Sequence, residues 1–366
     1  MIHHCLIIGA GQSGLACARI AQNFGLDYVV LEQGTQAGEV WRQRSPELKL
    51  FTPRNLSALS DYPLDGDPDA LPNSAEMADY FDSYHKKFNI NCLFNARVIS
   101  TQRSTQGHWI VTCAGGQQFL SYSMVLANGS NQELMVPDRL SENLSADVIQ
   151  VNAENYWKTS PPSRDGCLVV GDGASGRQIA HDLACQGYKV TLAGNGRNMI
   201  PNRLMKRNVF QWLNAIGLLR ANRDTRFAKL VKKRNPVPRK ETLSNKALQK
   251  VGVTLVGRVQ KTTHEGVWFD HERQACFSYV VWCTGYREAT SFLPLDFVPN
   301  DEWMISGRGL LPLSGVFVVG RRWLHNRASE LIMGVEHDAQ YTMSKLRQWL
   351  DSSSAVSGLQ ELQTSC

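Results

Sequence analysis

No Cys-x-x-Cys pair occurs in this 366-residue sequence, although it contains nine cysteines. The closely spaced dithiol of a thioredoxin-reductase-like enzyme is therefore missing. Cys5, Cys167 and Cys283 stand in apolar, strand-like runs, where cysteine acts as a small hydrophobe, and scattered free thiols of this kind fit a reducing compartment. No stretch approaches the ~20 uncharged apolar residues of a membrane span. The N-terminus runs directly into an apolar strand, which leaves no room for a signal peptide, and no low-complexity segment or short-period repeat appears. The expectation is a cytoplasmic chain without a membrane span, long enough for two domains of ordinary size. Composition leaves room for a homodimer.

Two complete Gly-x-Gly-x-x-Gly loops are present, each after a short apolar strand. The first follows Cys5-Leu6-Ile7-Ile8 and reads Gly9-Ala10-Gly11-Gln12-Ser13-Gly14; the second follows Cys167-Leu168-Val169-Val170 and reads Gly171-Asp172-Gly173-Ala174-Ser175-Gly176. In such a loop the first glycine makes the strand-to-helix turn, the second lets the backbone approach a pyrophosphate, and the third lets helix and strand pack closely. The helix N-terminus then presents free N–H groups and its positive dipole end to phosphate. One such loop arises for many reasons; two in strand–loop–helix context argue for two dinucleotides in one chain.

The residues after each loop tell the two sites apart. The strand Tyr28-Val29-Val30-Leu31 ends at Glu32, 23 residues after Gly9, where an acid can accept a hydrogen bond from a ribose 2′-hydroxyl. The same step from Gly171 reaches Gly194, with Asn195 and Arg197 next along the chain. A 2′-phosphate is repelled by a carboxylate and held by a guanidinium. The first site fits FAD or NAD, and the second leans towards NADPH; alternatively Arg197 is a solvated loop charge.

The net charge of +6 is uneven. Between Arg203 and Lys250 stand 14 Lys or Arg and two acids, so that segment carries +12 and the remainder −6. It includes the apolar run Val209-Phe210-Gln211-Trp212-Leu213 and no nucleic-acid reader motif. Cofactor steering or a solvated helical face accounts for the charge, and no nucleic acid is expected as a partner.

The order of elements predicts an α/β fold with two Rossmann-like three-layer dinucleotide-binding domains, the second inserted in the first. Residues 1–34 read as strand–helix–strand, and Ser74 as the cap of a helix through about Phe88. Segments around Cys92–Phe94, Val98–Gln102, Trp109–Cys113 and Phe119–Ala127, punctuated by Gly107 and Gly115-Gly116, read as a small antiparallel meander. The second nucleotide unit starts after Pro161-Pro162 and returns through Tyr279-Val280-Val281-Trp282. The expected division is 1–160 with 280–366 for the first domain and 161–279 for the second. A last strand, Val316–Val319, precedes a helix around Asp338–Leu350 and a polar tail.

From about residue 5 to residue 345 this order resembles the two-dinucleotide flavoproteins of the class B monooxygenase superfamily, which includes flavin-containing monooxygenases, plant YUCCA-type enzymes and a bacterial branch. The motifs are the two glycine loops, Gly38-Glu39-Val40-Trp41-Arg42, Leu48-Lys49-Leu50-Phe51-Thr52-Pro53, Asp61-Tyr62-Pro63, Val125-Leu126-Ala127-Asn128-Gly129, Cys283-Thr284-Gly285-Tyr286, and the stretches Trp323–Ser329 and Gly334–Ala339. Two departures stand out. Asn128 replaces the threonine of Ala-Thr-Gly, and Asn152 stands near the histidine of the family's fingerprint, with Tyr156 keeping its aromatic.

The resemblance implies FAD on the first domain, held by Gly9, Gly11, Ser13, Gly14, Glu32 and Gln33, with Val40, Trp41, Arg42 and Thr52 towards the flavin. Val98, Ala127, Gly129 and Gly320 complete that site. It implies NADPH on the second domain, held by Gly171, Gly173, Ser175, Gly176 and Arg197, with Thr284, Gly285 and Tyr286 towards the nicotinamide. Thr52 and His325 are the catalytic candidates, His325 also reading as a structural histidine. No metal is implied. The activity implied is NAD(P)H-dependent oxygenation of a small organic substrate by O2 through a C4a-(hydro)peroxyflavin; a reductase that passes electrons to a separate acceptor is the alternative. A nucleotide-sensing regulatory protein is a third class.

Overall fold

The computed structural model describes residues 1–46, 48–130, 132–196, 198–270, 274–294, 308–311 and 313–352. The first sheet is built on β1 (Ile2–Ile8), β2 (Tyr28–Leu31), β3 (Cys92–Leu93), β4 (Val98–Arg103), β5 (Trp109–Cys113) and β6 (Gln118–Leu126), in the order β3-β2-β1-β6-β5-β4. β1 runs parallel to both β2 and β6. The nine-residue β6 has β1 along one edge and two partners along the other: its first half pairs antiparallel with β5, and Met124–Leu126 pairs parallel with the late strand Val316–Val318. The meander is thus continuous with the parallel sheet. It comprises β4, β5 and β6 alone, because Cys92–Leu93 pairs parallel with β2 instead.

β1 from Cys5 onward and the whole of β2 are buried, as strands covered on both faces must be. One face packs on α1 (Gln12–Asn23), α2 (Ser74–Lys87) and the last helix, Ile332–Ser352. The cap of α2 is Asn73 rather than Ser74. Asn73 accepts from the Glu76 N–H while the Glu76 carboxylate accepts from the Asn73 N–H, a reciprocal box that leaves Ser74 as the first helical residue. Trp109, Val111, Met124 and Leu126 build the opposite face. The last helix begins six residues before the expected Asp338, since the glycine at 334 packs against Ala328 instead of ending it.

The second sheet is all parallel: β7 (Ile149–Asn152), β8 (Cys167–Val170), β9 (Val190–Ala193), β10 (Thr254–Val256) and β11 (Tyr279–Trp282), in the order β10-β9-β8-β11-β7. Helix α3 (Ala174–Cys185) comes directly after β8. The expected boundaries at 161 and 279 cut this sheet. β7 precedes Pro161 yet forms the edge beside β11, and β11 itself extends to Trp282. The reason is one of satisfaction: without β7 the outer edge of β11 would expose its backbone groups. Tyr279 reinforces the join, its buried hydroxyl lying 2.9 and 2.7 Å from the carbonyls of Tyr156 and Thr159. The chain crosses between the sheets twice, after β6 and after β11. The crossings pair with each other, Glu133–Leu134 antiparallel to Tyr286–Arg287.

Candidate cofactor and active site

The first glycine loop leaves β1, turns at Gly9 (φ 104°) and enters α1 with Gly11 as N-cap. A Cβ on Gly9 would lie 2.9 Å from the Ala127 carbonyl oxygen, and one on Gly14 would overlap the Gly9 carbonyl. Both positions require glycine for close approach. Gly11 differs: nothing lies within 4 Å of where its Cβ would stand. The N-cap makes no side-chain hydrogen bond and the first turn carries no acid. The N–H groups of α1 therefore face open space at the positive end of the helix, which suits a pyrophosphate. The second loop repeats this geometry: Gly171 turns at φ 105°, a Cβ on Gly176 would overlap the Gly171 carbonyl, and Gly173 is open. Ser175 lies half-buried in the first turn of α3. Both cradles are shaped for a dinucleotide.

Glu32 closes the first loop. It is 7% exposed, and its two carboxylate oxygens accept from Ala10 N–H (2.6 Å) and Gly34 N–H (2.7 Å). Burial pushes its carboxyl above the usual range, partly offset by those backbone donors. Each oxygen keeps a lone pair for a ribose hydroxyl. Gln33 beside it is exposed. Asn95 and Ala96 bond back to the carbonyls of Gly34 and Glu32, placing Val98 at the same end of the sheet. Ala127 bonds to Ile8 (3.0 Å), Gly129 is open at φ 76°, and a Cβ on Gly320 would overlap the Ser13 hydroxyl. These residues converge on the first loop.

Gly38 (φ 73°) donates to the Ala10 carbonyl and brings the short helix Glu39–Arg42 alongside. Trp41 is buried, 6.4 Å from the Phe81 ring and beneath the Arg44 guanidinium, and its indole N–H has no acceptor. Val40 is exposed, and Arg42 pairs with Asp79 at 3.0 Å. The buried Thr52 hydroxyl bonds Ser57 Oγ at 2.8 Å, and Ser57 in turn donates to Pro53, so Thr52 is anchored within its own turn. His325 is half-buried, 6.3 Å from the His337 ring; burial and the nearby Arg308 lower its pKa and keep the ring neutral at pH 7. Phe51, Leu56, Val209, Phe210, Leu219, Ala328 and Met333 pack together. Part of the basic segment therefore lies as an apolar cap between the neighbours of Thr52 and those of His325.

At the second loop the expected absence of an acid fails in space. A Cβ on Gly194 would overlap the side chain of Asp172, which lies 6% exposed against it and 3.7 Å from the buried Arg177. Asp172 fills the space that a side chain at 194 would take, and the buried Arg177 guanidinium counters its charge inside the loop, an arrangement that the sequence step from Gly171 had no means of showing. Arg197 lies outside the described residues. Arg258 has no place in the sequence reading, yet it lies 2.9 and 3.2 Å from the Asn195 side-chain oxygen when that amide is oriented to accept. Its signal is topological, since β10 pairs with β9 and the residues after both strands must be neighbours. Thr284 Oγ donates to the Met135 carbonyl, Gly285 is open at φ 100°, and Tyr286 pairs with Leu134. Asn152 ends β7, its side chain accepting from Glu154 N–H at 2.9 Å in a local turn. Among the described residues no metal cluster forms and no helix is long and apolar enough to cross a membrane.

The model of the pyridine nucleotide-disulphide oxidoreductase family matches residues 6–306. The chain belongs to that family. This makes it an oxidoreductase of the flavin- and pyridine-nucleotide-dependent kind. An uncharacterized CzcO-like oxidoreductase of Geobacillus kaustophilus is 29% identical over 93% of this chain and 97% of its own length. A probable indole-3-pyruvate monooxygenase of Arabidopsis thaliana, YUCCA8, is 31% identical over 56% of this chain and 50% of its own. A solved flavin-containing monooxygenase from Stenotrophomonas maltophilia shares the fold, with a TM-score of 0.75 at 22% identity over 95% of this chain and 99% of that one.

The two kinds of glycine in the first loop give opposite expectations. Gly11→Ala should fold with the melting temperature of the flavin-free wild-type protein but emerge with little or no bound flavin, because the new methyl occupies the phosphate approach. Gly14→Ala should fail to fold, since its Cβ meets backbone. Flavin absorbance and thermal melts read both; flavin retained at the wild-type level in Gly11→Ala would contradict the assignment.

Proposed function

We propose that the chain is an NADPH-dependent FAD monooxygenase acting on a small organic substrate with O2. FAD is assigned to the first loop, closed by Glu32, and NADPH to the second. The observation that carries the reading is the repeated open helix N-terminus, at Gly11 and Gly173, on two sheets of one chain. FAD, when bound, supplies the redox chemistry and the reaction with O2.

The chain's own residues bind, orient and exclude water. Glu32 and the loop N–H groups hold the dinucleotide, and Trp41 offers an unpaired indole donor beside the first loop. The apolar cap from Val209 to Leu219 keeps solvent from the region around Phe51 and Ala328, where an oxygen-transfer reaction needs dryness. The neutral His325 ring is able to accept a proton there.

Oxygen transfer is favoured over a thiol relay by the cysteines. All eight described thiols are free. Burial pushes Cys283, beside the second loop, up to about 12, and Cys5 likewise to about 12. Such thiols stay protonated and are poor nucleophiles at pH 7. The YUCCA likeness points the same way. Passing electrons to a separate acceptor is the other outcome that the cofactor pair permits.

Turnover under ¹⁸O2 distinguishes the two. The expected result is one labelled oxygen atom in product per NADPH consumed; no label in any organic product, with hydrogen peroxide equal to NADPH consumed, would replace the oxygenase by the reductase. On the coenzyme, NADPH should be used more efficiently than NADH, and Arg258→Ala should narrow that preference roughly tenfold by removing a phosphate contact. Unchanged kcat/KM ratios for the two coenzymes in Arg258→Ala would place the 2′-phosphate elsewhere.

A further inference from the structure

Arg321 is a large, charged side chain that the fold buries almost completely, at 1% exposure, and that none of the site assignments uses. It lies just beyond the late strand Val316–Val318 of the first sheet. Its NH2 donates to Asn128 Oδ1 at 2.8 Å, and its Nε lies 3.2 Å from Glu288 Oε1. Asn128 is on the crossing that leaves β6, and Glu288 is on the crossing that leaves β11. One guanidinium thus grips both connections between the two sheets. The Glu288 arm is an ion pair rather than a hydrogen bond, since both Nε and NH1 lack an acceptor in hydrogen-bonding geometry.

The surroundings make the grip consequential. Ser130 Oγ donates to the Gly320 carbonyl and accepts from Arg322 N–H at 2.8 Å. Ala289 N–H donates to Gln132 at 2.5 Å, and Met135 N–H to Gly285 at 2.9 Å. The crossings and the end of the first sheet's last strand are one bonded unit, with the Arg321 side chain inside it. Gly320, its neighbour, abuts Ser13 of the first glycine loop. A buried, incompletely bonded ion contributes little net stability and is best explained by the geometry it imposes, since a planar guanidinium accepts partners only in fixed directions. This also accounts for Asn128 where the resembling proteins carry threonine: asparagine holds its acceptor one bond further from the backbone, within reach of Arg321.

We propose that Arg321 is a positioning residue that fixes the two interdomain crossings and so sets the alignment of the two nucleotide sites for hydride transfer. The proposal rests on the assignment of FAD and NADPH to the two loops. The balance is that of the reaction already proposed: two electrons and one proton leave NADPH as hydride and reduce the flavin, leaving NADP⁺.

The test uses FAD-loaded full-length protein, with anaerobic stopped-flow reduction by NADPH, reduction by dithionite as a control that bypasses the second site, and hydrogen exchange of the crossing amides. Arg321→Met should lower the limiting reduction rate by NADPH roughly tenfold or more, as sub-ångström to ångström misplacement does. FAD content, NADP⁺ affinity and dithionite reduction should stay at wild-type values, and exchange at Met135 and Ala289 should accelerate. Asn128→Ala should give part of the loss alone and no further loss in the Arg321→Met background. Should Arg321→Met not fold, Asn128→Thr keeps the arginine and breaks one arm, and the same pattern at smaller amplitude is expected. A wild-type reduction rate, or a loss that tracks FAD release, overturns the proposal. If the wild-type protein is reduced by dithionite but by neither NADPH nor NADH, the nucleotide assignment has failed and the alignment role falls with it. Crossing amides that exchange no faster in the variants overturn the clamp whatever the coenzyme result.

Discussion

The contact on which the rest of this structure depends is one that a side chain would abolish. At Gly14 and again at Gly176 the first turn of a helix lies directly on the carbonyl of the loop's first glycine, where a Cβ would overlap it. That approach aims the helix N-terminus at the point where the strand ends, so the free N–H groups and the dipole converge on one small volume. The open positions at Gly11 and Gly173 leave that volume clear. Everything else at the two sites serves this pairing. Glu32 fastens the end of β2 to the first loop through Ala10, its other oxygen holding Gly34 in the turn that follows, and Asp172 with Arg177 fills the corresponding corner of the second.

Two sites of this kind act together only if the domains keep their relation. The crossings that join them are paired with each other and bonded to the exit of the first sheet's last strand. The apolar cap from Val209 to Leu219 then closes over residues contributed by both the 51–56 turn and the 328–333 segment. The basic segment is thus divided: its apolar side chains seal the region beside the first loop, and its charge faces outward, as the exposed Lys229, Lys232, Lys233 and Arg234 show.

Much of this was legible in the residues. The strands flanking each glycine loop and the 98–126 part of the meander carry local signals, namely apolar runs, fixed spacing and glycine turns, and the structure forms them there; Cys92–Leu93, read with the meander, joins β2 instead, and Glu32 stands at the end of β2. The illegible part depended on pairing at a distance. Ile149–Asn152 looks like linker until β11 is seen to need an edge partner. Asp172 looks like a loop filler until its side chain is found against Gly194. Arg258 and Arg321 have no motif; their positions depend on β10 lying beside β9 and on the two crossings meeting. The catalytic candidates were the least legible of all, since Thr52 and His325 are half-explained by local contacts with Ser57, His337 and Arg308.

Two separately built helix N-termini should hold two different dinucleotides on one chain. Native mass spectrometry of the purified protein, alone and after addition of NADP⁺, tests it most directly. The account predicts one FAD per chain on isolation and one further NADP⁺ on titration, without displacement of the flavin. A chain that carries no flavin after incubation with FAD, or in which NADP⁺ displaces it from a single shared site, would contradict the account.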